Sequence, residues 1–241
     1  MNNLVVDISN MSLSYNQGKT PIFKDLNFSI WEWEVVSIIG KNGTGKSSLL
    51  KTIAGIEKKY SWIIQKYTKK IAYVPQKLQL DRAFPLLVEE FFYIFHEKIT
   101  KEKIQKTLAL FHIEKLSKQN IHSLSGWEFQ KVLILNAIIS EPELMLLDEP
   151  TNGIDVVGEE QFYKNIADIK KLFPKLAIVL VSHNLHLVYR NSDKVICLHE
   201  NNFCCHGTPL ELQKNADVKK IFGEHISPYI HTPHSHKKHN N

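Results

Sequence analysis

Eight residues, Gly40-Lys41-Asn42-Gly43-Thr44-Gly45-Lys46-Ser47, fit the pattern G-x-x-x-x-G-K-[ST], whose chemistry is the holding of polyphosphate. Glycines at these spacings let the backbone curl until successive N–H groups point inward, and a helix that starts where the pattern ends adds its positive N-terminus. Lys46 then reaches the β- and γ-phosphates, and the Ser47 hydroxyl, beside Ser48, is a ligand for Mg²⁺. Farther along, Asp148-Glu149-Pro150 closes an apolar run and offers two adjacent carboxylates. Asp148 suits the magnesium shell and Glu149 suits the polarising of an attacking water, because phosphoryl transfer needs mainly positioning and charge stabilisation. A lone strand ending in Asp-Glu is ordinarily a surface strand end; the phosphate pattern upstream gives this one its meaning.

Groups so far apart in sequence need elements that deliver them to one place. VVSII at 35–39 leads into the glycine-rich turn, and SSLLKTIAG follows it with helical character. The runs IAYV at 71–74, LMLL at 144–147, AIVLVS at 177–182 and KVICL at 194–198 are near-continuously apolar, as strands covered on both faces are. Their alternation with helices predicts an α/β fold with a mostly parallel sheet, and ligand groups at the C-terminal strand ends. Short β-prone runs at 4–6 and 28–30, broken by the turn-like Asn16-Gln17-Gly18-Lys19, predict an N-terminal antiparallel β region. Residues 77–140 interrupt the core with helical periodicity at 87–95, 101–111 and 129–139, which predicts an inserted helical subdomain. One domain over 1–230 is expected, followed at 231–241 by a mobile tail that has lost apolar content.

Composition bounds the class. A chain of 241 residues, 43% hydrophobic and 23% charged, is long enough to bury a core. Its net charge of +5 is a mild excess without a concentrated basic patch, which argues against a nucleic-acid partner. Cys197, Cys204 and Cys205 are too few and too clustered for a secreted disulfide framework, and the start carries no cationic, apolar leader, so a cytoplasmic setting is expected. Cys204-Cys205 falls in a predicted hairpin with no second pair at ligand spacing, which favours packing. Apolar runs such as 35–39 and 176–181 are strand-sized, against the roughly 20 residues of a membrane span.

Between the phosphate pattern and the carboxylates lies Leu124-Ser125-Gly126-Trp127-Glu128-Phe129-Gln130, which resembles the LSGGQ or LSGGE signature of ABC-type ATPases. The resemblance covers nearly the whole chain, with the motifs in order. It implies a P-loop NTPase core in the ABC ATPase architecture, ATP with Mg²⁺ as cofactors, and hydrolysis by a head-to-tail homodimer. Carried over residue by residue, Tyr15 matches the aromatic that stacks on adenine, and Gln76 in YVPQ the glutamine that senses magnesium and the membrane partner. Asp155 in TNGID matches the loop that crosses the dimer interface, and His183 in VSH the histidine that contacts the γ-phosphate. The set implied as catalytic is Glu149, His183 and Gln76; Ser47, Gln76 and Asp148 are implied for Mg²⁺, and Ser125 and Gly126 for ATP held by the other subunit.

The wording of YVPQKLQLD, DEPTNGIDVVG, VSHNLHLV and CLHENNFCCHGTP is similar to the ATPase subunits of bacterial high-affinity zinc importers. That implies a peripheral protein on the cytoplasmic face of the inner membrane, working with integral-membrane permease subunits and, indirectly, a periplasmic metal-binding protein. His231, His234, His236 and His239 form a tract able to bind zinc, or a merely polar tail. The segment Phe84 to Tyr93 lies where such subunits grip a coupling helix, though much of it also suits the subdomain's own core. Two positions depart from the family: Trp127 stands for a signature glycine, and Trp33 where relatives often carry glycine. Forcing Trp127 left-handed costs roughly 1–2 kcal/mol; a helical backbone with the ring turned away leaves turnover slowed or normal, whereas a ring in the interface leaves ATP bound but poorly turned over. Beside zinc import stand manganese or iron import, and a nucleotide-binding regulatory subunit whose ATPase is weakened by Trp127.

Overall fold

In the computed structural model, residues 3–15, 20–57, 60–199, 202–215 and 218 are described. The His-containing tail, the turn at 16–19 and Lys58-Lys59 lie outside them, as do the side chains of Tyr15 and Cys204. Strands β1 (Leu4–Tyr15), β2 (Thr20–Trp31) and β4 (Tyr60–Lys66) form an antiparallel sheet in the order β2-β1-β4. The larger sheet is ordered β5-β6-β7-β3-β8-β9, from β3 (Val35–Gly40), β5 (Ile71–Val74), β6 (Leu144–Leu147), β7 (Ala177–Val181), β8 (Lys194–His199) and β9 (Asn202–Gly207). All of its pairings are parallel except β8 with β9, the expected hairpin.

The continuous apolarity of the central strands has a direct cause in packing. Successive residues face opposite ways, and both faces are covered. Leu144, Leu146, Ala177, Val179 and Val181 share one core with α1 (Lys46–Ala54) and with Val6, Ile8 and Phe28 of the antiparallel sheet. Met145, Leu147, Ile178 and Leu180 point to the other core, shared with α2 (Val88–Phe95), α3 (Lys101–Ala109), α4 (Gly126–Ile138) and α5 (Val156–Leu172). Truncating one of these fully buried leucines costs about 2–5 kcal/mol. Among the described residues, α6 (Leu185–Asn191) precedes β8 and α7 (Pro209–Lys214) follows β9. Among the described residues no helix is long and apolar enough to cross a membrane.

Three details differ from the sequence-based expectations. β4 was not anticipated; it exists through its antiparallel register with β1, a tertiary pairing rather than a local preference. α3 stops at Ala109, two residues before the expected end at Phe111. α4 starts at Gly126, ahead of the apolar periodicity at Phe129, because Ser125 caps it: the Ser125 hydroxyl accepts the Glu128 N–H at 3.2 Å, and the Ser125 N–H donates to Glu128 Oε2 at 3.0 Å. The aromatic segment before α3 divides: Val88, Phe91 and Phe92 are buried, whereas Phe84 and Tyr93 are exposed.

Candidate functional site

Four strands of the parallel sheet end on one edge, and their C-terminal loops carry the predicted groups: β3 the glycine-rich turn, β5 Gln76, β6 Asp148 and Glu149, β7 His183. At the first of these, Gly40 is required sterically, since a Cβ there would collide with the Leu198 carbonyl oxygen of neighbouring β8. Gly45 caps α1 in the left-handed region at φ 89° and supplies no side-chain hydrogen bond, so no capping side chain stands between the start of α1 and a ligand. Lys46 is buried and its Nζ donates to the carbonyls of Gly40 and Lys41, each at 2.9 Å. Burial pushes the Lys46 ammonium below its ordinary pKa, and the charges of Glu149 and Asp148 oppose that fall.

The two carboxylates are held differently. Asp148 is only 3% exposed and accepts the Ser47 hydroxyl on Oδ1 at 2.8 Å and the Tyr73 hydroxyl on Oδ2 at 3.1 Å. Burial, followed by the Asp148 charge and hydrogen bond, raises the Tyr73 hydroxyl well above its ordinary pKa, so Tyr73 remains a donor. Glu149 is a hub: Gln76 Nε2 and Asn152 Nδ2 donate to its Oε2, the latter at 3.0 Å, and His183 Nε2 lies 2.8 Å from its Oε1. The backbone at Glu149 has φ 45°, left-handed although the residue carries a Cβ and Pro150 follows. Such a conformation costs on the order of 1–3 kcal/mol and persists where surrounding structure imposes it, as at ligand and catalytic sites.

Lys46, Ser47, Gln76, Glu149, Asn152 and His183 line one cavity of about 920 Å³, together with Asn42, Gly43, Asp155 and Val156, and Asp148 lies behind its wall on Ser47. Thr44 is buried beneath the turn, its hydroxyl on the Lys41 carbonyl at 2.9 Å, while Lys41 is exposed. Ser125 and Gly126 do not line it; both are exposed at the start of α4, and Gly126 borders a separate cavity of about 560 Å³ with Leu78, Arg82 and Phe129. Tyr73, Asn152 and Glu159 were missed in the sequence. A hydroxyl in the otherwise apolar IAYV was the available signal for Tyr73. Glu159 accepts Thr151 Oγ1 at 3.0 Å and Asn184 Nδ2 at 2.7 Å, tying α5 to two loops of the site.

Of the two tryptophans that stand where the family carries glycine, only Trp33 takes a glycine-like conformation. It occupies the third position of a turn closed by the Glu34 N–H on the Trp31 carbonyl at 3.3 Å, with φ 76°, which favours glycine there. Trp127 sits inside the first turn of α4 with its ring turned into the molecule, edge-on to Phe162 with centroids 6.4 Å apart. Lys131 Nζ lies 5.2 Å from the centre of that ring.

The profile of the ABC transporter family matches residues 23–152. The chain is 42% identical over 212 residues to zinc import ATP-binding protein ZnuC 2 of Aliivibrio fischeri, covering 88% of this chain and 86% of that protein. It is 36% identical over 238 residues to zinc import ATP-binding protein ZnuC of Buchnera aphidicola subsp. Baizongia pistaciae, covering 97% of this chain and 98% of the relative. Among solved structures, cbiO1 from Clostridium perfringens, part of the ABC transporter complex cbiONQ, superposes with a TM-score of 0.76 at 25% identity, covering 90% of this chain and 94% of that one.

Proposed function

Because the chain belongs to the ABC transporter family, as an ATP-hydrolysing subunit, we propose that it drives zinc uptake through a separate permease from the cytoplasmic face of a bacterial inner membrane. The observation that carries this reading is the gathering of Lys46, Ser47, Gln76, Glu149 and His183 around one cavity, with Asp148 held to Ser47 at its wall. The names of the relatives support zinc as the cargo over manganese or iron.

In this reading the N-terminus of α1 receives the phosphates, and Lys46 exchanges its two carbonyl partners for phosphate oxygens. Ser47, Asp148 and Gln76 offer a hard oxygen set that fits Mg²⁺, which when bound supplies charge neutralisation on the phosphates. Glu149 accepts a proton from the attacking water, steered by Gln76, Asn152 and His183. The adenine-stacking role of Tyr15 rests on the sequence resemblance alone. Catalysis needs a second copy, whose Ser125 and Gly126 complete the site from across an interface. Two features support that pairing: Ser125 lies away from its own chain's cavity, and Val156 and Val157, beside Asp155 at the cavity rim, are 70% and 77% exposed. The zinc-binding reading of His231, His234, His236 and His239 rests on sequence alone.

The test is transport. Reconstituted with its permease and periplasmic binding protein, the subunit is expected to accumulate zinc on addition of ATP; accumulation of manganese or iron without zinc would overturn the cargo.

A further inference from the structure

One line of side chains joins the signature end of α4 to the histidine loop of the same chain. Trp127 meets Phe162 of α5 edge-on, at 6.4 Å between centroids and 66° between planes. Phe162 is fully buried and meets Tyr163 edge-on at 5.2 Å and 82°. The Tyr163 hydroxyl donates to Ser182 Oγ at 3.4 Å, and Ser182 Oγ in turn accepts the Asn184 N–H at 3.2 Å. Between Ser182 and Asn184 stands His183, on Glu149. A second rung runs parallel to the first, because Glu159, one turn earlier on α5, accepts Asn184 Nδ2. The 182–184 loop therefore takes its position from α5 at two points.

α5 in turn is met by the first turn of α4 through Trp127. A glycine at that position, as in the family's signature, has no side chain to make the contact. Close-packed interiors transmit displacement, since a well-filled contact leaves no room to absorb it. The ring is also confined by the Lys131 ammonium 5.2 Å from its centre. A shift of the α4 start thus reaches α5 first and the histidine loop next.

We propose that Trp127 is a positioning residue for His183: by bridging the first turn of α4 to α5 it fixes, through Tyr163 and Glu159, the loop that holds His183 against Glu149. The inference rests on the proposed roles of Glu149 and His183. It makes the tryptophan a working part of the chain's own ATP site, although the segment bearing it serves the partner's.

The experiment is steady-state ATP hydrolysis by the full chain assembled with its permease, with kcat expressed per titrated ATP site. Trp127→Ala is expected to lower kcat roughly tenfold while KM for ATP stays within about twofold. Trp127→Phe, which keeps an aromatic edge toward Phe162, is expected to recover most of the loss. Tyr163→Phe removes only the hydroxyl and is expected to lower kcat in the same sense. The double variant Trp127→Ala, Tyr163→Phe should fall no further than Trp127→Ala alone, since residues acting through one contact are not additive. Wild-type or higher kcat in Trp127→Ala, or losses that multiply in the double variant, would overturn the proposal. Glu149→Gln in the same assay separates the two levels. If it abolishes turnover while Trp127→Ala is silent, the positioning role alone fails; if it leaves turnover intact, the reading of the site fails.

Discussion

The starts of α1 and α4 are both offered to phosphate in the proposed cycle, yet they are finished in opposite ways. Gly45 gives α1 no side-chain cap, and Lys46 stands alongside its first turn. Ser125 and Glu128 close a complete capping box on α4, and the Ser125 hydroxyl also donates to Glu128 Oε2 at 2.7 Å. One helix end is organised to receive a ligand within its own chain. The other is satisfied in the single chain, and needs an incoming charge to draw Ser125 from Glu128. In the proposed cycle that difference lets a subunit bind ATP alone and still wait for a second copy.

Substitutions at the two ends should separate binding from turnover. The largest loss of ATP affinity is expected for Lys46→Ala, about a hundredfold by calorimetry on the single chain, since charge-assisted hydrogen bonds are worth roughly 1.5–3 kcal/mol each. Equal affinities would mean that α1 binds without its lysine. Ser125→Ala should leave single-chain ATP affinity within about twofold and reduce turnover of the assembled transporter about tenfold. Loss of single-chain binding in that variant would place Ser125 in its own chain's site and remove the contrast.

The tryptophans sharpen the same comparison through stability. Trp33→Gly relieves a left-handed side chain and is expected to raise Tm by about 2–4 °C, for roughly 1 kcal/mol, whereas Trp33→Ala, which keeps the Cβ, should not. Trp127→Gly should lower Tm, because it places glycine inside a helix and empties a contact with the core. The smallest effect concerns pH. The Ser125 hydroxyl and then its N–H hold the Glu128 carboxyl below its ordinary pKa, so its cap is fully present above the ordinary value and is lost as pH falls through the lower, folded-state one. Amide exchange at the α4 start should quicken in that acidic window, and Glu128→Gln, which keeps a capping side chain, should flatten the dependence.

The core strands were legible because burial on both faces leaves a plain trace: the IAYV and LMLL runs coincide with β5 and β6. β4 left no such trace, since its existence depends on pairing with β1 rather than on its own residues. The start of α4 was written in Ser125 and Glu128, but a reading by apolar period began three residues late. At the site, motif types named Gln76, Asp148, Glu149 and His183. The hydrogen bonds of Tyr73, Asn152 and Glu159, and the φ of Glu149, arise where separate loops meet, and no local pattern encodes that meeting.

The central claim is that Glu149, held by Gln76, Asn152 and His183, activates the water that cleaves ATP. Turnover and retained nucleotide measured together in Glu149→Gln test it most directly. A general base contributes about 10²–10⁴-fold, so turnover should fall at least about a hundredfold while an ATP-bound dimer accumulates. Wild-type turnover with no trapped dimer would contradict it.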